Sequence, residues 1–440
     1  MRIESDGSSA KKVKIASLCF MGLSHLLYLK QYLKGAVFAA LEVLFIAFLP
    51  VTFKKVFELI TLGEPQPDIP IKQRNNSMFM LIDGILVLAI VAVFVAVYVI
   101  SVRSAKKSYE EYCRTKRFIS QKASIEELGN KAFPLTGLLP CVIMLLVFVV
   151  VPLVFSVCVA FTNYSAPNNI PPKNTVDWVG FKNFAELLGG GSTWSVGFLR
   201  IVVWTLIWAL ASTFTCYFGG LLVAVYLNDS GVKFSSVFRF IFILPYAVPA
   251  VITMILWKYL LNGTFGIVNR TLAAVGLLNM DNPIPWLGDA TLAKVMCIVI
   301  NLWAGFGYFM MLSMGTMTSI SKDLFEAAEI DGANKKQVLH HITLPLVLYQ
   351  TMPLVIMSFT HNINNFGIIF FLTGGAPTVA DSTTTMAGGT DILITWIYKL
   401  TMTLQKYNYA SVIAVLIFIV LAPFAIQQFR NTKAYKEGEV

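Results

Sequence analysis

The feature that most constrains this chain is a set of long apolar runs, the clearest of which extends from Gly84 to Ile100 without one charged side chain. A helix needs about 20 mostly apolar residues to cross the hydrocarbon layer of a membrane. Only 13% of the residues are charged, about half the fraction typical of soluble proteins. The runs of sufficient length are 35–53, 79–102, 136–161, 200–227, 237–261, 293–317, 346–372 and 409–429. The sequence therefore predicts an all-α integral membrane protein with about eight transmembrane helices, and it excludes a soluble enzyme.

The placement of Lys and Arg residues explains the net charge of +10. Cytoplasmic segments of membrane proteins are enriched in these two residue types. If both termini are cytoplasmic, the inner segments carry about twice as many Lys and Arg residues as the outer segments. The positive charge is thus a signal of topology, and no nucleic-acid partner is expected.

The N-terminal region leaves two points open. Loop 54–77 places several basic residues on the predicted outer side, so the sequence does not decide whether the first run crosses fully. Segment 15–34 is amphipathic and is expected to lie in the membrane interface. The basic loop 103–133 receives no role beyond that of a solvated helix along the membrane surface.

The cysteine and histidine residues form no pattern typical of a chemical site. The six cysteines contain no Cys-x-x-Cys pair, so neither a disulfide framework nor a zinc site is indicated. A membrane enzyme such as a glycosyltransferase would need clustered acids or a metal site, and the sequence has no Asp-x-Asp pair. We therefore predict no catalytic residue and no metal ligand.

The segment between the sixth and seventh runs, 319–345, has clear helix signals. Ser321 is a plausible N-cap for the helix formers that follow it. Gly332 stands where a helix end needs a residue that tolerates positive φ, and Asn334 can cap a second short helix. The sequence predicts a helix–turn–helix held against the membrane by a spanning helix at each end, which suits docking on a cytoplasmic partner.

This segment resembles the EAA loop of permease subunits of ABC importers. The resemblance rests on Glu326-Ala327-Ala328, three residues, Gly332, nine residues and then Ile342-Thr343-Leu344-Pro345. Residues 244–249, 262–269 and 301–308 are similar to the sugar branch of the family, the maltose-permease F-type subunits and their Gram-positive oligosaccharide relatives. The resemblance covers about 134–430. It implies a type I ABC-importer permease fold, with 1–133 as an N-terminal segment of two spans and a basic loop, 134–430 as a six-span core, and 431–440 as a cytoplasmic tail.

The resemblance also implies a division of labour in the cell membrane. The expected partners are a second, G-type permease subunit, a dimer of ATP-binding subunits and an extracytoplasmic solute-binding protein. The chain has no Gly-Lys dipeptide and hence no Walker A loop, so ATP and Mg²⁺ are expected on the partner and no cofactor on this chain. The residues expected to couple to the ATPase are Glu326, Ala327, Ala328, Gly332, Leu344 and Pro345. The outer segment 162–199 is much shorter than in the enterobacterial maltose subunit, so docking of the binding protein is expected to differ in detail.

A row of polar side chains in the seventh run is a candidate sugar site. Ser358, Asn362 and Asn365 are spaced i, i+4 and i+7 and therefore share one helix face. Hydroxyl and amide groups suit a carbohydrate, but polar side chains in membranes also bond helices to one another, and the spacing alone does not choose. The resemblance favours an oligosaccharide of the malto- or galacto- type and adds Gly305 and Tyr308 to the site. His361 has no assigned role.

Two other transport functions remain as alternatives. An ion-coupled secondary sugar transporter would be expected to show inverted repeats and intramembrane acids, and no convincing repeat is present. An ABC permease for an anion such as glycerol phosphate would need Lys or Arg residues facing the path, and the matched faces of the sixth and seventh runs have none.

Overall fold

The regular structure of this chain is helical throughout its described part. The computed structural model describes residues 7–118, 133–228 and 232–430, and these residues contain no β-strand. The helices are α1 Gly7–Cys19, α2 Leu23–Leu27, α3 Tyr32–Thr61, α4 Ser77–Thr115, α5 Phe133–Leu145, α6 Val151–Ala160, α7 Lys182–Leu188, α8 Thr193–Asn228, α9 Ser235–Ala247, α10 Ala250–Leu260, α11 Ile267–Ala274, α12 Ala290–Thr318, α13 Lys322–Ile330, α14 Lys335–Val338, α15 Leu344–Ile363, α16 Phe366–Leu372, α17 Ser382–Thr385, α18 Leu393–Met402 and α19 Tyr407–Arg430.

The predicted number of membrane-spanning elements is confirmed. Seven helical segments of the described chain are long and apolar enough to cross a membrane, and a bent pair of helices makes an eighth. The N-terminal helix α3, whose crossing the sequence left open, meets this criterion over its 30 residues. The chain forms two compact units, residues 1–179 and 180–440, so that α5 and α6 group with the N-terminal helices because α6 packs on α4.

The third predicted span is continuous, because a π-helical turn, Leu146–Val150, joins α5 to α6, whereas the fifth and seventh predicted spans are broken. Helices α9 and α10 meet at an angle of 91°, because Val248 precedes a proline and takes the extended backbone that such a position favours. The run 346–372 is broken after Ile363, and α16 restarts at Phe366. At this break Asn365 has a non-helical backbone and occupies the N-cap position of α16.

Helices α3 and α4 of the first unit form an antiparallel pair with a readable register. At one end, Lys55 Nζ lies 2.8 Å from Asp83 Oδ2. Midway, the rings of Phe45 and Phe94 stack with centroids 3.7 Å apart. The uncharged stretch 84–102 of α4 is about 28 Å long at 1.5 Å per residue, which matches a hydrocarbon layer of about 30 Å.

The segment predicted to lie in the interface folds into α1 and α2 at the other end of this pair. The turn between them contains Gly22 at φ +85°, and a Cβ there would lie 2.3 Å from the carbonyl oxygen of Gly35. Only glycine permits this approach to α3. The side chains of Gln31, the N-cap residue of α3, and Ser108 of α4 then hydrogen-bond at 3.3 Å, so the start of α3 is joined to α4 beyond the membrane-spanning part.

Helix α8 is the centre of the second unit. It packs along most of its length on α12 and also contacts α15. Gly220 makes this possible, because a Cβ there would lie 2.6 Å from the backbone oxygen of Phe306 and the backbone nitrogen of Met310. Small residues at helix interfaces are typical of membrane proteins, where close backbone approach replaces the hydrophobic effect.

Loop 373–392 folds over one end of this helix bundle and is held by two ion pairs. Arg200 Nη2 lies 2.8 Å from Asp381 Oδ2, and the same guanidinium donates to the carbonyl oxygens of Ala387 and Gly388. The fully buried Asp391 accepts hydrogen bonds from Lys399 Nζ at 2.6 Å and from the backbone N–H of Gly388 at 2.7 Å. We call loop 373–392 with these partners the polar cap. The sequence analysis did not foresee it.

The polar cap predicts a large loss of stability when its buried acid is removed. Replacing Asp391 with alanine leaves Lys399 without its carboxylate, and breaking a buried ion pair costs about 3–5 kcal/mol. We expect the Asp391→Ala variant to melt well below the parent protein in detergent, measured by differential scanning fluorimetry. Asp281→Ala, at an exposed position, is the matched control and should melt like the parent. A parental melting temperature for Asp391→Ala would contradict the assignment of the cap as a stabilising element.

A second prediction concerns the fully buried His25 in α2, whose Nδ1 lacks a hydrogen-bond partner among the described residues. Burial, reinforced by the positive charge of Lys34, lowers the pKa of His25 from 6.5 to about 4. The unfolded chain therefore binds more protons between these values, so stability falls as the pH drops from 6.5 towards 4, by about 3 kcal/mol at most. Melting curves across this pH range should show a steeper loss for the parent than for His25→Gln. The exposed His341→Gln should keep the parental slope, and a His25→Gln variant with that same slope would refute the prediction.

Candidate functional site

The predicted helix–turn–helix of residues 319–345 is present, and its ends are capped as expected. The Ser321 hydroxyl oxygen accepts a hydrogen bond from the backbone N–H of Asp323 at 3.3 Å, which starts α13. Gly332 has φ +76° and ends the helix, with Ala333 N donating to Ala328 O at 2.9 Å. Asn334 and Gln337 form a reciprocal capping box for α14. These contacts fix the turn by local hydrogen bonds alone.

The two faces of α13 differ in what they contact. Ala328 is buried, and Phe325 packs on the core of the second unit together with Leu344. Glu326 and Ala327 are exposed, and Ile330 is 86% exposed. The exposed side of α13, with Glu326, Ala327 and Ile330, is called the coupling face below.

The residues predicted to couple to the ATPase therefore fall into two groups, one exposed and one packed on the helix bundle. Glu326 and Ala327 are presented outward on the coupling face, and Gly332 sets the turn behind it. Ala328 and Leu344 instead anchor the loop to the helix bundle. The fixed backbone angle of Pro345 suits the first turn of α15, where it lies.

Asn362 is the member of the predicted sugar row that bonds to another helix. Asn362 is 5% exposed, and its Nδ2 donates to Thr213 Oγ1 of α8 at 3.0 Å. Trp208 Nε1 donates to the carbonyl oxygen of Asn362 at 3.1 Å, and Asn365 Nδ2 donates to Asn362 Oδ1 at 3.3 Å. The structure thus brings Asn362 and Asn365 together at the break between α15 and α16, while Ser358 is half-buried. These bonds are the helix-packing contacts that the spacing had left as an alternative.

The two predicted sugar residues of α12 face different surroundings. A Cβ at Gly305 would lie 3.0 Å from Cys216 Sγ, so this position faces α8. Tyr308 is 38% exposed, and its ring lies 5.5 Å from that of Tyr246 at the end of α9. Within the described residues, no hydrogen bond joins Gly305 or Tyr308 to the polar row of α15, and His361 is exposed.

Sequence reasoning missed Thr213, Trp208 and Tyr246. Thr213 lies on a stripe of small and polar residues along α8, which the spacing 205, 209, 213, 216, 220 and 224 would have revealed as a buried face. Trp208 is buried on the same helix, next to Ala209 of this stripe. Tyr246 stands between two prolines, a position where a broken helix exposes side chains that a straight helix would pack.

The coupling face and the polar cap lie at opposite ends of α12. A Cβ at Gly389 of the cap would lie 3.0 Å from Ala290 Cβ at the first residue of α12, whereas α13 follows the last residue of α12 after a short turn. The 29 residues of α12 correspond to about 43 Å of helix, enough to cross the membrane. Among the described residues, no group of His, Cys, Asp or Glu side chains could hold a metal ion.

Comparison with known proteins agrees with this architecture. Residues 217–430 match the family described as binding-protein-dependent transport system inner membrane component. The galactooligosaccharides transport system permease protein GanP of Bacillus subtilis is 36% identical over 411 residues, which are 93% of this chain and 95% of GanP. The maltodextrin transport system permease protein MdxF of the same species is 34% identical, with 93% of each chain covered. MalF of Escherichia coli, a maltose/maltodextrin permease protein, is 36% identical over 58% of this chain and 49% of its own length.

Solved structures show the same fold. The crystal structure of a bacterial alginate ABC transporter, in complex with a periplasmic protein bound to an alginate pentasaccharide, contains a chain that matches with a TM-score of 0.55. That match covers 71% of this chain and 98% of the other, at 23% identity, and it concerns the fold alone. The predicted permease fold and the membrane location are confirmed. The chain is therefore a multi-pass membrane protein that belongs to the binding-protein-dependent inner membrane components, the permease family of ABC transporters.

Proposed function

We propose that this chain is a transmembrane subunit of an ATP-driven importer for oligosaccharides of the galacto- or malto- type. The observation that carries the proposal is its similarity, over more than nine-tenths of its length, to permeases named for these sugars. In this role the chain forms part of the path with a second, G-type permease subunit. A dimer of ATP-binding subunits holds ATP and Mg²⁺, and an extracytoplasmic binding protein delivers the sugar.

In the proposed mechanism the coupling face meets the ATPase. The exposed Glu326 offers a carboxylate to a basic group there, and the exposed Ile330 offers an apolar contact beside it. Because Phe325 and Leu344 pack on the bundle core, a push on α13 is transmitted to α12 and α15 rather than absorbed by a mobile loop. Backbone hydrogen bonds of 2.9 and 3.0 Å at Ala333 and Gly332 hold the turn in place.

The proposed sugar path combines the polar row with the tyrosines. A pyranose ring needs both hydrogen-bond partners and an apolar surface, and the half-exposed Tyr308 offers the second. Asn362 Oδ1 and Asn365 sit at a helix break, where small changes in the angle between α15 and α16 would free their amides. Alternating access supplies such a change, so the bonds of Asn362 to α8 and to sugar would belong to different states.

The coupling role predicts the behaviour of a charge reversal. In proteoliposomes with the full set of partners, Glu326→Lys should lower sugar uptake at least about tenfold, since losing one charge-assisted contact costs about 1.5–3 kcal/mol. Insertion and melting temperature should stay parental, because Glu326 is exposed. Asp281→Lys, a reversal at an exposed position on an outer loop, is the control. Normal uptake by Glu326→Lys would remove the coupling assignment.

The sugar site is tested by separating binding from packing. Asn362→Ala and Thr213→Val both remove the bond between α15 and α8, and both should lower the melting temperature. The loss should be somewhat larger for Asn362→Ala, which also removes the acceptor of Asn365 Nδ2. If Asn362 also binds sugar, only Asn362→Ala should reduce uptake per folded molecule about tenfold at low sugar concentration, as expected for about 1.4 kcal/mol of lost binding. Binding-protein-stimulated ATP hydrolysis should persist in both. Equal uptake by the two variants would assign Asn362 to packing alone.

A further inference from the structure

We propose that the exposed face of α1 is a binding surface for the head groups of anionic phospholipids. The face consists of Lys11, Lys12 and Lys14 with Ile15 and Leu18, and all five side chains are exposed. We call it the α1 lipid face. It lies in the first unit, outside the region that matches the transport family.

The depth of α1 is fixed by a hydrogen bond to a spanning helix. Tyr98 of α4 donates from its hydroxyl to the carbonyl oxygen of Leu18 at 2.9 Å. Tyr98 lies within the uncharged stretch 84–102, five residues or about 7.5 Å before the first charged residue, Arg103. The C-terminal end of α1 is therefore level with the edge of the hydrocarbon layer.

A second contact holds the same end at the same level. The carboxylate of Glu42, buried in α3, accepts a hydrogen bond from the backbone N–H of Met21. The register of α3 against α4 puts Glu42 opposite the region of Tyr98, since Phe45 stacks on Phe94 one turn further in. Two independent helices thus keep the end of α1 at the hydrocarbon edge.

The N-terminal half of α1 lies further out. Val13 is buried in one cluster with Ala105 and Tyr109, which follow Arg103 on α4 beyond the uncharged stretch. Along α4, the α1 lipid face therefore extends from its lysines, beyond the uncharged stretch, to Leu18 at the level of Tyr98. The side of α1 opposite the lipid face, with Ala16 and Ser17, is buried.

Along the α1 lipid face, apolar side chains lie at the depth of the acyl chains and basic side chains lie at the depth of the phosphates. Ile15 and Leu18 are 59% and 53% exposed at the level where acyl chains begin. Lys11, Lys12 and Lys14 extend towards the phosphates, and no ion pair with a described acidic residue neutralises them. The neighbouring end of α4, residues 103–115, holds four basic and two acidic residues, and Lys106 is paired with Glu110 at 3.7 Å, so its net charge is also positive. Exposed apolar side chains below unpaired lysines fit an anionic phospholipid.

Depth also argues against a soluble protein as the occupant. A partner that docks from the aqueous phase could reach the lysines of α1, but Leu18 is level with Tyr98 inside the uncharged stretch. Lipid is the component of a membrane that contacts both ends of such a face. In this proposal the positive charge at the end of α4 and on α1 has two roles: it sets the topology of the chain, and it retains anionic lipids.

The direct test is the lipid composition that the full chain retains. The chain is purified from nanodiscs of equal phosphatidylglycerol and phosphatidylcholine, and bound lipids are identified by native mass spectrometry. The parent should retain phosphatidylglycerol preferentially. In the triple variant Lys11→Gln, Lys12→Gln, Lys14→Gln, the ratio of bound phosphatidylglycerol to bound phosphatidylcholine should be at least about threefold lower than in the parent. The control Lys72→Gln, Lys173→Gln, Lys182→Gln removes the same charge at exposed positions outside α1 and should keep the enrichment.

Depth is checked separately with the exposed Cys19 at the end of α1. A fluorophore on Cys19, in a variant with Cys113, Cys141 and Cys158 replaced by alanine, should be quenched more by brominated phosphatidylglycerol than by brominated phosphatidylcholine. Unchanged lipid enrichment in the α1 triple variant, an equal loss in the control variant, or quenching of Cys19 by aqueous iodide instead of either lipid would each overturn the proposal.

Discussion

The close approach of α8 and α12 is the contact on which the second unit depends. At Gly220 the two backbones are so near that any side chain would collide with the carbonyl of Phe306. In a bilayer the hydrophobic effect does not drive helices together, so such van der Waals contact is what joins them. Helix α12 is held along its length by this contact and carries a different structure at each end, the polar cap at Ala290 and the coupling face after Thr318.

Different interactions stabilise the structures at the two ends of α12. The polar cap is stabilised by buried charges, with Asp391 fully enclosed and Arg200 shared between a carboxylate and two carbonyl oxygens. The turn behind the coupling face is formed by caps, and its side chains stay exposed. In the proposed mechanism the cap fixes one end of α12 and α8, so that movement imposed at the coupling face would change the angle of helices rather than shift the whole bundle. In that mechanism, the angle between α15 and α16 would change at the break that contains Asn365.

Local features were predictable from the sequence, and long-range contacts were not. Apolar length located the spans, and the capping residues Ser321, Gly332 and Asn334 located the ends of α13 and α14, because both depend on neighbours within a few residues. The bond between Asn362 and Thr213 joins residues far apart in the chain, and the spacing of Asn362 fits both sugar binding and packing equally well. The ion pair of Arg200 and Asp381 likewise joins residues that are far apart in the chain. The sharp bend at Pro249 was visible as a proline, but the size of a kink depends on the helices around it.

The central claim is that transport by this chain is driven by a motor on another polypeptide. The most direct measurement is oligosaccharide uptake into proteoliposomes that contain either the chain alone or the chain with the second permease subunit, the ATPase dimer and the binding protein. Each preparation is assayed with and without ATP and with and without an ion gradient. The account predicts uptake only with the full set of subunits and ATP. Uptake by the chain alone, driven by an ion gradient without nucleotide, would contradict it.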